Sequence, residues 1–118
     1  MQYIGHGGKE IVERVLPPKE VERKIRGLKK IPVSDRVARE CIDLAYGFFT
    51  PLWGFMGKKD LESVCKRMTL TDGTLWPIPI VFDITNEEIK QKGVKEKATI
   101  LLTYHGNALA ILEVEEIF

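Results

Sequence analysis

The side chains in this 118-residue sequence that could do chemistry are few: two histidines, two cysteines, two serines and a scatter of carboxylates. A zinc site needs about four soft or imidazole ligands, and Cys41, Cys65, His6 and His105 are too dispersed in sequence to suggest one. The cysteines read instead as two small core residues kept as thiols in a reducing compartment. Nucleophilic hydrolysis would call for a G-x-S-x-G elbow, which is absent. Ser34 reads as a helix cap and Ser63 as a helix-surface residue. The segments GHGGKE and GFMGKK look like phosphate-cradling loops, but neither completes G-x-x-x-x-G-K-[ST]. Asp60, Glu62, Asp72 and Asp83 have no spacing that demands a general acid–base pair. One arrangement remains: backbone N–H groups flanked by glycine can form an anion-binding nest, which makes His6, Gly7 and Gly8 a candidate anion contact. The competing reading is an irregular terminal arm. His105, beside Gly106 and Asn107, reads as a turn residue.

Positioning any of these groups falls to a chain whose pattern changes midway. KEIVERV fits a short helix or a strand equally well, and Pro17-Pro18 breaks it. Val21, Ile25 and Leu28 then recur at helical spacing, with Pro18 in a first turn and Gly27 as a stop. SDRVARECIDLAYG predicts a helix capped by Ser34, with Val37, Ala38, Cys41, Ile42 and Ala45 on one stripe. The apolar segment Phe48–Gly57 is too broken by proline and glycine to be regular. A helix over about Lys58–Met68 follows, with Leu61, Val64, Cys65 and Met68 inward. Beyond Thr71-Asp72-Gly73 the period becomes that of strands: TLWPIPIVFDIT reads as an edge or bulged strand, because two prolines cannot donate to a ladder. Thr85 and Glu88 make a capping box for NEEIKQKG. ATILLTY and ALAILEVEEI flank His105-Gly106-Asn107 as a hairpin. These elements predict one α+β domain over residues 1–118, with short helices followed by a small, partly open β-barrel.

Composition narrows the function classes. With 44% hydrophobic and 30% charged residues, the chain can bury a core. Lysine and arginine number 18 against 17 acidic residues, a net charge of +1. That balance does not provide the broad positive field by which nucleic-acid binders collect phosphates. Phe48, Phe49, Trp53, Phe55, Trp76 and Phe82 could stack on bases but are not interleaved with lysine or arginine, so they read as packing residues. Ile78–Phe82 and Ala108–Leu112 fall far short of the roughly 20 apolar residues that span a bilayer, and MQYIGHGGKEIVERV has no signal-peptide pattern. The expected location is the cytoplasm, with no membrane partner.

The residues that say most are Gly47–Asp83, GFFTPLWGFMGKKDLESVCKRMTLTDGTLWPIPIVFD. They resemble the N-terminal, PUA-like domain of ATP sulfurylase (sulfate adenylyltransferase), whose pattern runs G-F-S-P-L-x-G-F-M, a short helix, then M-x-L-x-D-G-x-L-W-P-I-P-I, an apolar residue and aspartate. His6-Gly7-Gly8 is similar to the family's P-H-G-G, and ATILLTYHGNALAILEVEEIF to its closing hairpin. The likeness spans nearly the whole chain. Two departures stand out: Thr50 occupies the place of the usual serine, and Ile4-Gly5 precede His6 where the family has proline.

The resemblance implies a part in sulfate activation, the reaction of ATP and sulfate to adenylyl sulfate and pyrophosphate. In that family ATP and sulfate are held mainly by Q-x-R-N-P-x-H-x-x-H and G-R-D segments, and this sequence has neither. Joining two anions requires clustered cationic and N–H donors with magnesium, so the chain alone is expected to be inactive and to bind no cofactor, ATP and magnesium belonging to the parent enzyme. The expected partner is the catalytic domain, with a homo-oligomer also open. A loop as apolar as Phe48–Met56 suggests an interface, and Phe49, Pro51, Leu52, Trp53, Phe55 and Met56 are its candidate contacts. The other class of function is a stand-alone PUA-like RNA-binding module.

Overall fold

The computed structural model describes residues 5–118, so Ile4 of the Ile4-Gly5 departure lies outside the described residues. One turn of 3-10 helix at His6–Gly8 precedes extended chain, then α1 (Pro18–Ile25), β1 (Lys29–Pro32), α2 (Asp35–Ala45), α3 (Lys58–Arg67), α4 (Asn86–Lys92), β2 (Thr99–Tyr104) and β3 (Asn107–Glu113). The helices and the open three-stranded sheet, in order β1-β2-β3, make an α+β fold. The chain forms two compact units: residues 5–14, 42–82 and 118 in the first, and residues 15–41 and 83–117 in the second.

The second unit is built on the sheet. β2 and β3 pair antiparallel as the hairpin pattern predicts, and both His105 and Gly106 take positive φ in the connecting turn. β1 pairs with β2 in parallel, Ile31 lying opposite Leu102. This strand is not foreseen from the sequence, because KKIP is short and lacks alternation. It forms because Ile31 is buried and Val33 N–H continues the ladder to the Thr103 carbonyl at 2.9 Å. Ser34 caps α2 through the Val37 N–H at 3.3 Å. α4 carries the full Thr85–Glu88 capping box and ends at Gly93, with φ +62.

The stripe predicted for α2 is corrected in one place. Val37, Ala38, Cys41 and Leu44 are buried, whereas Ile42 is exposed. Val37, Cys41 and Leu44 keep the i, i+4, i+7 spacing, with Ala38 flanking them, and Ile42, one turn beyond Ala38, falls at the outer edge of that stripe.

The first unit has its own core, in which Leu44, Leu52, Met56, Val64, Leu70, Trp76 and Ile80 pack with Phe49, Phe55 and Val81. TLWPIPIVFDIT forms no regular strand, only an isolated bridge between Thr69 and Leu75. Pro77 and Pro79 have no N–H for a ladder, so the segment forms no regular strand; it turns Trp76 and Ile80 into the core and leaves Ile78, between them, exposed. Ser63 is likewise corrected from a surface residue to one of the most buried, its hydroxyl 3.4 Å from that of Thr69. Of the inward face predicted for α3, Val64 is buried while Cys65 and Met68 are exposed.

α3 ends on Met68 in the left-handed region, φ 56, with its N–H on the Val64 carbonyl. A side chain there costs roughly 1 kcal/mol relative to glycine, and Met68 is more than half exposed, so little packing offsets that cost. Met68→Gly is therefore expected to stabilise the protein by about 0.5–1 kcal/mol, read as a raised urea midpoint at unchanged slope. A lowered midpoint would show that the methionine side chain matters more than its backbone strain.

Candidate functional site

The candidate residues all fall in the first unit, around the segment Gly47–Met56. Gly47 follows α2 with φ +83, and a Cβ there would overlap the Val12 carbonyl oxygen and lie 2.5 Å from Ile11 Cγ2. The extended chain at Ile11–Val12 therefore presses directly on the Gly47 backbone. Thr50 locks the two together: its hydroxyl donates to the Gly47 carbonyl at 2.6 Å and accepts from the Val12 N–H at 3.0 Å. The hydroxyl shared with serine makes both bonds, while the methyl that distinguishes threonine occupies the space above Gly5. A Cβ at Gly5 would come 2.5 Å from Thr50 Cγ2. Thr50 and Gly5, one residue from each departure, thus form one packing arrangement, a methyl at position 50 matched by the absence of a Cβ at position 5.

The six apolar candidates divide. Leu52 and Met56 are core residues, Met56 N–H donating to the Ile80 carbonyl at 2.7 Å, so neither presents a surface to a partner. Phe49, Pro51 and Phe55 are half-buried. Phe49 meets Trp76 edge-on at 5.9 Å, and Phe55 meets Phe82 at 5.6 Å. Trp53 alone of the six is largely open, 66% exposed. The Arg14 guanidinium stands 5.6 Å from its ring centroid and donates to its carbonyl at 2.5 Å, which holds the indole in place. Phe48, 75% exposed, is more open still. Neither the prominence of Phe48 nor the part played by Arg14 carries a sequence signal, since an irregular loop has no period to mark its outer face.

His6, Gly7 and Gly8 are held against the same unit. The His6 Nε2–H donates to the Leu75 carbonyl at 2.6 Å, and the ring meets Trp76 edge-on at 5.9 Å. Gly7 and Gly8 both have positive φ, and a Cβ on Gly7 would touch Thr74 Cγ2 at 3.0 Å. One imidazole nitrogen is thus committed to the protein backbone, and the turn works as a clamp over Thr74–Trp76.

The carboxylates do not gather. Asp60 accepts from the Thr71 N–H and Asp72 from the Thr74 N–H, each at 2.9 Å, and the latter contact holds the Asp72 carboxyl below its usual range. Asp83 pairs with Arg36 at 2.5 Å, and this hydrogen bond, helped by the nearby Glu40 charge, raises the guanidinium above its ordinary value. Tyr104 donates to Asp35, a bond that raises the phenol. His105 stacks on Tyr104 at 4.2 Å as part of the turn. Among the described residues no three of His, Cys, Asp and Glu come together to hold a metal ion. Among the described residues no helix is long and apolar enough to cross a membrane.

The thiols differ sharply. Burial pushes Cys41 up to about 11, with Glu40 adding to the shift, whereas Cys65 is exposed. Disulfide-exchange labelling at pH 8 is expected to modify Cys65 at least ten times faster than Cys41, with the second thiol reacting only as the protein opens. Equal rates would contradict the burial of Cys41.

Comparison with known proteins places this geometry among relatives. A family model described as PUA-like domain matches residues 3–118. The chain is 42% identical over 116 residues to the sulfate adenylyltransferase of Desulfovibrio desulfuricans, an alignment covering 96% of this chain and 27% of that protein. It is 40% identical to the sulfate adenylyltransferase of Aeropyrum pernix, covering 96% and 30%. The chain thus spans less than a third of the length of these curated relatives. Among solved structures, the hexameric APS kinase from Thiobacillus denitrificans superposes with a TM-score of 0.77 over 93% of this chain and 22% of that one. At 23% identity, that likeness speaks for the fold.

Proposed function

The chain belongs to the PUA-like domain family, and on that premise we propose that it is the N-terminal, non-catalytic domain of a sulfate adenylyltransferase. The observation that carries this reading is the alignment itself: nearly all of this chain matches about three tenths of proteins bearing that name. In this reading the domain packs against and supports a catalytic domain, which makes adenylyl sulfate and pyrophosphate from ATP and sulfate in the cytoplasm. The domain itself holds neither nucleotide nor magnesium. Its carboxylates are engaged locally or dispersed, and its charges nearly cancel, so it offers poor support for two anions meeting in one site. Exposed Trp53 and Phe48 are the anchors offered to the catalytic domain, since large aromatic side chains dominate interface energetics. The hexameric architecture of the structural neighbour favours a homo-oligomeric parent.

The test has two arms. The chain alone, given adenylyl sulfate and pyrophosphate, should form no ATP; turnover would refute the reading. Mixed with the remaining portion of the Desulfovibrio desulfuricans relative, it should co-elute as a complex. Trp53→Ala should weaken that association by about tenfold or more while leaving the melting temperature unchanged. A complex indifferent to Trp53 and Phe48 would move the interface elsewhere. If the chain instead retains RNA on a filter with an affinity that falls steeply as salt rises, the RNA-binding class is favoured.

A further inference from the structure

The second unit contains a cavity of about 260 Å³ formed by the start of β1, the end of α4 with the turn after it, and the start of β2. Its floor is apolar. Ile31 and Ile100, 5% and 3% exposed, contribute side chains from neighbouring strands, and Val94 adds another. Its lining includes Lys29, Lys92 and Lys95 and no acidic residue. Among the described residues none of these three lysines forms an ion pair.

Three like charges around one apolar hollow repel each other, and an anion seated among them relieves that repulsion. The end of α4 accounts for part of this charge. Lys29 Nζ lies 2.7 Å from where a Cβ on Gly93 would stand, so glycine at this position admits the ammonium beside the last turn. A helix C-terminus presents roughly half a negative charge, which one ammonium more than balances. Lys92 and Lys95 make no ion pair among the described residues.

From this arrangement we propose that the cavity binds a small organic anion: a compact apolar body seated on Ile31 and Ile100, carrying one phosphate, sulfate or carboxylate group among Lys29, Lys92 and Lys95. The volume lies just under the range typical of drug-sized ligands, which suits a single ring or a short chain. The site stands independently of the role proposed above, since it uses none of the first unit's residues.

Nitrogen-15 amide spectra of the 118-residue chain, titrated with phenyl phosphate, inorganic phosphate and benzyl alcohol, test both halves of the site. Phenyl phosphate should shift the Gly93, Val94 and Ala98 amides saturably, with phosphate alone or the alcohol alone weaker by about tenfold or more. Phenylacetate in place of phenyl phosphate tells whether a carboxylate serves as well as a phosphate. Lys92→Gln with Lys95→Gln, both at exposed positions, should reduce the affinity by about tenfold or more at an unchanged melting temperature, as should added salt. The single Lys95→Gln variant provides the same reading on a smaller scale. Absent or dispersed shifts at millimolar phenyl phosphate, binding untouched by the lysine changes, or inorganic phosphate binding equally well would each overturn the proposal.

Discussion

Trp76→Ala is expected to remove about 3–5 kcal/mol of stability, the range for truncating a buried tryptophan. Trp76 is 7% exposed and packs in the core of the first unit, with Phe49 and His6 each meeting its ring edge-on. The loss therefore includes the edge-to-face contacts as well as the cavity left behind. Against a total of roughly 5–15 kcal/mol for an ordinary domain, this is enough to populate unfolded chain at room temperature. The contrast with Trp76→Phe sharpens the test. Trp76 Nε1 is buried with no acceptor among the described residues, a condition that costs about 1–3 kcal/mol. Phenylalanine keeps most of the ring and deletes that donor, so its cost should be less than half that of alanine. Urea unfolding of the three proteins measures both differences, and an alanine variant within 1 kcal/mol of the parent would mean that the indole is not central to the core.

Thr50→Val should cost about 1–3 kcal/mol, because it leaves the buried Val12 N–H without its acceptor, while the Gly47 carbonyl keeps the Thr50 N–H at 3.1 Å. The Thr50 side chain is almost wholly buried, and its hydroxyl is the partner of the Val12 N–H and bonds the Gly47 carbonyl. Valine preserves the shape and removes both bonds, so the effect isolates polar satisfaction from packing. Thr50→Ser keeps the bonds and loses one methyl, which should cost about 1 kcal/mol. It should also make room for Gly5→Ala, which in the parent would press a new methyl against Thr50 Cγ2. Thermal melts of the single and double variants read this coupling directly. If valine and serine behave alike, the hydroxyl is not what joins residues 11–12 to the loop.

Both expectations concern residues whose importance the sequence signals unequally. Trp76 sits in a motif-like run and reads as a packing residue. Thr50 reads only as a tolerated replacement for serine; its partners at Val12 and Gly47 come together through the fold. The same holds for Ser63, assigned to a surface by its polarity although a neighbouring hydroxyl at Thr69 allows it to be buried. Within the loop Phe48–Met56, composition predicts burial for all the large side chains alike, whereas the backbone turns Leu52 and Met56 inward and Phe48 and Trp53 outward.

The sequence by itself determined those features governed by neighbours a few residues away. The capped helices at Asp35–Ala45 and Asn86–Lys92, the turn at His105-Gly106 and the hairpin around it follow from hydrogen bonds and backbone preferences that act within one or two turns of chain. Tertiary structure decided the parallel pairing of β1 with β2, the fate of the proline-broken segment after Gly73, the clamp of His6 on Leu75 and the gathering of Lys29 with Lys92 and Lys95. Each of these joins residues whose separation leaves no periodic trace. Their energies appear only once the core has brought distant backbone groups and charges within a few ångströms.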